Sequence, residues 1–156
     1  MGVKFPLIFM ANPFEALEAA IALQSDEILE LSFDEQPVKD EVKRLQTEVQ
    51  MLEQGLNADG RRMGSYSPNT KRVKIAEGKI SQYVTGLDTG EMYDSTTVTT
   101  DAVGINIFIN TQKPDGDFED HGYGNIAGLT KENTNELAEF ALPYVNETAR
   151  EILGLR

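Results

Sequence analysis

The spacing of apolar residues changes period along this chain. Val38, Val42, Leu45, Val49, Leu52 and Leu56 recur in alternating steps of four and three. That spacing lines up one narrow seam along a helix. Val103, Ile105, Ile107 and Ile109 instead alternate with Gly104, Asn106, Phe108 and Asn110, the period of two that marks a half-buried strand. Between these blocks, residues 57–82 follow neither period. A chain that segregates the two periods must bury a helix stripe and a sheet face in one core, so the expected class is α+β.

With 156 residues the chain suits a single domain spanning 1–156. Asn12-Pro13-Phe14-Glu15 is a helix start: an Asn cap, Pro at the first helical position and Glu at the third. Phe14, Leu17, Ile21, Ile28 and Leu31 continue that helix to about Phe33, where the stretch Phe33–Pro37 breaks it. A second helix runs from Pro37 to about Gln54 and ends at Gly55. Residues 1–56 therefore read as a helical hairpin. Residues 57–86 are rich in turn formers and read as a long loop or extended arm. Residues 87–129 form the β-rich part, in which Ser95–Thr100 pairs antiparallel with the alternating strand across Asp101-Ala102. Residues 130–156 form a last helix, capped by Thr130, with Leu137, Phe140, Tyr144 and Ile152 on one side. Pro143 is expected to kink or split it.

Charge divides the chain in the same places. The net charge is −12. Residues 1–56 carry 11 acids and 4 bases, and residues 86–156 carry 13 acids and 4 bases. Residues 57–85 reverse the balance, with two acids (Asp59, Glu77) against six bases: Arg61, Arg62, Lys71, Arg72, Lys74 and Lys79. Six bases inside an acidic chain are a poor supply of phosphate contacts, so sequence-specific nucleic-acid binding is not expected. The basic island is expected to pair with acidic surface, its own or a neighbouring subunit's. Arg61, Arg62, Tyr66, Lys71, Arg72 and Lys74 are its candidate interaction residues.

Several kinds of chemistry lack their residues. Cysteine is absent and His121 is the one histidine, which removes thiol nucleophiles, zinc–thiolate sites and multi-histidine sites. There is no Gly-x-Ser-x-Gly elbow and no phosphate-binding Gly-x-x-x-x-Gly-Lys loop. Asp115, Asp117, Glu119 and Asp120 form an acidic loop beside His121, read as solvated rather than as a cation site. The N-terminal segment is too weakly basic and too short in its apolar run for a signal peptide, and no run of about 20 apolar residues suggests a membrane span. No catalytic, cofactor-binding or metal-binding residue is assigned, no cofactor is expected, and the product reads as cytosolic.

Asp88-Thr89-Gly90 is the triplet of aspartic proteases, in which two such loops bring two carboxylates together over a water. A chain with one copy would need a symmetric dimer. The flanks Thr85-Gly86 and Glu91-Met92, and the helical half of the chain, favour a turn instead. Asp or Thr bonds its own backbone two residues on, and Gly takes the positive-φ position.

Residues 59–95 carry a resemblance. Asp59-Gly60, then Tyr66-Ser67-Pro68-Asn69-Thr70, then Leu87-Asp88-Thr89-Gly90-Glu91-Met92-Tyr93-Asp94-Ser95 resembles a pattern in the virion-morphogenesis (tail-completion, head–tail connector or neck) proteins of tailed bacteriophages. There a Gly-rich loop and a Pro-containing segment lead into a Leu-x-x-Thr-Gly element and a strand. His121-Gly122-Tyr123-Gly124 echoes a later aromatic–glycine motif. The resemblance implies a non-enzymatic virion component, made in the host cytoplasm, that forms rings with copies of itself and docks on other head or tail proteins, with no membrane partner. A dimeric protease and a small adaptor that binds through the 42–49 seam are the other functional classes considered.

Overall fold

A computed structural model describes residues 25–101, 104–113, 116–117 and 121–154. Helix α1 occupies residues 25–34 of this range, and the helix start at Asn12 lies outside the described residues. One residue, Glu35, separates α1 from α2 (Gln36–Arg44), a shorter break than Phe33–Pro37 suggested. Pro37 lies in the first turn of α2, where its missing N–H has no helical partner to lose. The chain then continues into a π-helical segment (Leu45–Glu53), followed by α3 (Pro68–Ala76) and a single turn, α4 (Glu91–Asp94). Strands β1 (Thr97–Asp101) and β2 (Gly104–Phe108) form an antiparallel hairpin, and β3 (Gln112–Lys113) and β4 (Gly116–Asp117) a second, shorter one. Helix α5 (Lys131–Leu153) closes the chain. The class is α+β, as the two apolar periods imply. Among the described residues no helix is long and apolar enough to cross a membrane.

The first hairpin pairs Val98 with Ile107 and Thr100 with Ile105. Val98, Ile105 and Ile107 therefore share a face, and they pack with Leu137 and Ala141 of α5 on buried Val38, Val42 and Leu45. The Val42–Leu45 half of the seam is core and offers no face to a partner helix. A second cluster gathers Met51, Met63, Val84, Met92 and Ile126. Helix α5 begins with Thr130, whose side chain accepts from the Asn133 N–H, and continues as one helix through Pro143 rather than splitting there.

The seam itself changes phase. In an α-helix Val49, Leu52 and Leu56 would continue the stripe begun by Val38, Val42 and Leu45. From Leu45 the turns widen, as in the bond from the Gln54 N–H to the Val49 carbonyl, five residues back. Each wider turn rotates later residues backwards, so Gln46, Gln50 and Met51 move inward and Val49 and Leu52 move to the flanks. Two glutamines are thereby fully buried. Gln46 donates to the Ile126 carbonyl (2.8 Å) and accepts from the Gly128 N–H (2.9 Å). Gln50 donates to the Gly128 carbonyl (2.7 Å) and accepts from the Thr130 N–H (2.8 Å) and from Asn133 Nδ2 (3.1 Å). Their side-chain amides do for residues 126–130 what a neighbouring strand does in a sheet.

Gly55 ends the π segment with φ +65°, and a Cβ there would overlap the Tyr83 ring. The Tyr83 hydroxyl donates to the carbonyls of Leu52 (3.2 Å) and Glu53, satisfying groups that a helix end leaves open.

The expectation of an extended arm over 57–86 is corrected. Leu56 and Arg62 form a β-bridge, Met63 and Val84 enter the core, and residues 68–76 are helical. The start of α3 follows from Ser67-Pro68. The Ser67 side chain accepts from the Thr70 N–H (3.2 Å), and Pro68 opens the helix. The segment has few apolar residues of its own; Met63 and Val84 are buried, whereas Val73 and Ile75 are exposed.

Replacing Gln50 by Leu keeps approximate size but strands a carbonyl, an N–H and the Asn133 amide. Each unsatisfied buried group costs about 1–3 kcal/mol, and burying a Leu side chain instead of an amide recovers about 1.5–3 kcal/mol, so Gln50→Leu is expected to lower unfolding stability by roughly 2–4 kcal/mol in urea melts. Glu48→Gln, on the exposed side of the same segment, is expected to change it by less than about 0.5 kcal/mol.

Candidate functional site: a basic helix pinned to the Asp-Thr-Gly turn

The sequence singled out a basic segment and an acidic turn, and the fold joins them through one side chain. Lys74 of α3 is 5% exposed. Its Nζ donates to the Leu87 carbonyl (2.5 Å), lies 3.4 Å from Asp88 Oδ1, and sits 5.6 Å from the centre of the Tyr66 ring. A buried ammonium needs such partners, and here the backbone, a carboxylate and an aromatic face supply them. Lys79 adds a second tie, donating to the Asp88 carbonyl (2.8 Å) and pairing with Glu77 (2.8 Å). The Glu77 hydrogen bond, with the charges of Glu77 and Asp88, raises the Lys79 ammonium above its ordinary pKa against a smaller desolvation effect.

Beneath this contact lies a hydroxyl network. Tyr66 Oη accepts from the Thr85 N–H (3.1 Å) and bonds Thr85 Oγ1 (3.2 Å), which accepts from the Leu87 N–H (3.2 Å). Tyr93 donates to the Thr85 carbonyl (2.6 Å). Burial, with a smaller contribution from neighbouring Tyr66, pushes the Tyr93 hydroxyl well above the ordinary value of 10.0. Tyr66, Thr85 and Tyr93 thus fix the chain that carries Leu87 and Asp88.

Asp88-Thr89-Gly90 is a turn. Thr89 Oγ1 accepts from the Glu91 N–H (3.4 Å), and Gly90 adopts φ +96°. The turn opens into the single helical turn α4 rather than directly into a strand, because Met92 is drawn into the core and Ser95 and Thr96 cap the turn on the Met92 carbonyl. The Asp88 carboxylate is largely exposed, and it pairs with Lys74 and Lys79. An open pocket of about 290 Å³ adjoins it, lined in part by Thr89, Glu91, Asn110 and Gln112.

The candidate interaction residues divide accordingly. Tyr66 and Lys74 are internal fasteners rather than surface contacts. Arg62 lies over the Tyr83 ring at 5.2 Å. Arg61 and Arg72 are exposed and Lys71 is half-buried, and none of the three has an ion pair among the described residues. Of the acidic loop, Asp115, Glu119 and Asp120 lie outside the described residues. Among those described, no group of three or more acids and histidines could hold a metal ion. Sequence reasoning missed Thr85, Tyr83 and Tyr93, whose positions come from long-range contacts and leave no local signal. Comparison with protein-family models, with characterised proteins and with solved structures finds no match to this chain.

Lys74→Met preserves the stem and removes the pin. It is expected to cost about 1.5–3 kcal/mol, the range for hydrogen bonds to charged groups, and to speed amide exchange across residues 85–90. The Tyr93 proton gives a pH signature. The folded chain holds it more tightly than the unfolded chain, so its contribution is complete below pH 10 and is lost as pH rises through the folded value. Urea melts from pH 8 to 11 are expected to show stability falling above pH 10, with a shallower fall in Tyr93→Phe.

Proposed function

We propose that this chain is a structural subunit of a tailed-phage virion. In this reading it acts in head–tail joining or tail completion as one member of a ring around the DNA conduit, and it is not an enzyme. One observation carries the reading beyond the sequence resemblance. The segment bearing that resemblance, residues 59–95, is fastened to the core while its cations, exposed Arg61 and Arg72 and half-buried Lys71, have no ion pairs among the described residues. A chain of net charge −12 that keeps unpaired cations on a rigid mount is suited to receive acidic protein surface. Head-to-tail pairing of unlike surfaces closes into rings when the rotation permits. An acidic lumen lets DNA pass without adhering.

Quantitative mass spectrometry of purified tailed particles from the encoding phage tests this, together with antibody-gold labelling. The chain is expected in every particle at low copy number, with label at the neck or tail end. Deleting its gene is expected to leave unjoined heads and tails or defective particles. A chain present in the lysate but missing from particles, with deletion harmless to infectivity, contradicts the proposal.

A further inference from the structure

The burial of Lys74 fixes the rotation of α3 about its axis. With that side chain inward, Arg72, Val73, Ile75 and Ala76 lie outward. Val73 is 54% and Ile75 66% exposed, an unusual use of β-branched residues in a helix, where they bring no propensity advantage. Lys71 and Arg72 beside them have no ion pair among the described residues. The outward face of α3 thus has Arg72 and Ala76 at its centre, with Val73 on one flank and Ile75, next to Lys71, on the other.

Helix α5 carries the complement. Glu132, Glu136, Glu139 and Glu147 are all exposed. Steps of four, three and eight keep them within one arc of an α-helix, along a stripe spanning much of its roughly 34 Å length. Glu136 pairs with Arg44 (2.9 Å), and the other three have no ion pair among the described residues. Phe140 (38% exposed) and Leu142 (58% exposed) flank the stripe on opposite sides. Within the chain α5 packs on α2 and the π segment, and α3 is not packed against it.

We infer that the outward face of α3 docks on the acidic stripe of α5 in a second copy of this chain. Arg72, with Lys71 beside it, meets Glu139 and Glu147, and Val73 and Ile75 on its two flanks cover Phe140 and Leu142 on the two sides of the stripe. The inference rests on the ring reading and deepens it by naming both halves of the contact. One chain supplies both unlike surfaces, so each subunit can engage two neighbours. The apolar flanks contribute affinity, and the charges between them select orientation and make association sensitive to salt.

Charge exchange on the full-length protein tests the contact, read as mass in solution by light scattering and mass photometry over a concentration series. One variant carries Lys71→Glu and Arg72→Glu, the other Glu139→Lys and Glu147→Lys. Arg72, Glu139 and Glu147 are exposed, Lys71 is half-buried, and none of the four has an ion pair among the described residues, so each variant is expected to keep the wild-type circular dichroism spectrum and melt. Wild type is expected to self-associate, and each variant to need about ten-fold or more higher concentration. An equimolar mixture of the two variants is expected to recover assembly, because reversed α3 then meets reversed α5. Wild-type oligomers indifferent to both reversals overturn the α3–α5 contact and leave the ring reading standing. A dimer lost on reversal and recovered in the mixture supports the contact and sinks the ring. A chain monomeric at every concentration overturns both.

Discussion

Two buried glutamines decide how the halves of this protein fit together. Residues 126–130 lie along the core without a strand beside them, buried at Ile126 and Thr130 and half-buried between, and their inward backbone groups must be satisfied there. Gln46 and Gln50 satisfy them from a helix, making hydrogen bonds to Ile126, Gly128 and Thr130. The arrangement needs both amides on one face together with Met51, which the wider turns of a π helix provide and an α-helix does not. It also places Thr130, the cap of α5, so the direction in which the last helix leaves the core is set by the same contact. The acidic stripe of α5 therefore inherits its position from a polar layer in the core.

The basic segment is positioned by a parallel device. An ammonium group buried against a carbonyl, a carboxylate and a tyrosine ring tolerates little movement, since losing any partner leaves a charge poorly solvated. Lys74 thereby ties α3 to the Asp88 turn, while Tyr83 holds the end of the π segment from the other side of Gly55. The product is a preformed surface instead of an arm that orders only on binding. In the proposed assembly, little ordering entropy would be lost at this surface. That property suits a subunit that must join its neighbours in one geometry.

Much of the architecture was legible in the residues. Alternation from Val103 to Ile109 located β2 and implied its antiparallel partner, and Thr130 with its following residues located α5. Asp88-Thr89-Gly90 was readable as a turn because Gly at positive φ and a side chain bonding two residues on are local effects. The failures are equally physical. A three-four seam assumes 3.6 residues per turn, so it could not show that Gln46 and Gln50, polar residues outside the stripe, would be turned inward. The composition of residues 57–86 hid α3, although Ser67-Pro68 is a helix start of the kind recognised at Asn12-Pro13. Lys74 looked like one surface cation among six. Only tertiary contacts with Tyr66, Leu87 and Asp88 make it internal.

The central claim is that residues 59–90 form a rigid mount before any neighbour arrives. Amide hydrogen exchange on the dilute, unassembled chain tests it directly. The Lys71 N–H, bonded to the Ser67 carbonyl, and the Thr85 N–H, bonded to Tyr66, are the reporters. They are expected to be protected at a level approaching that of the α2 amides. Exchange of both at the rates of an unstructured peptide, with α2 still protected, would show an arm that orders only on assembly and would contradict the account.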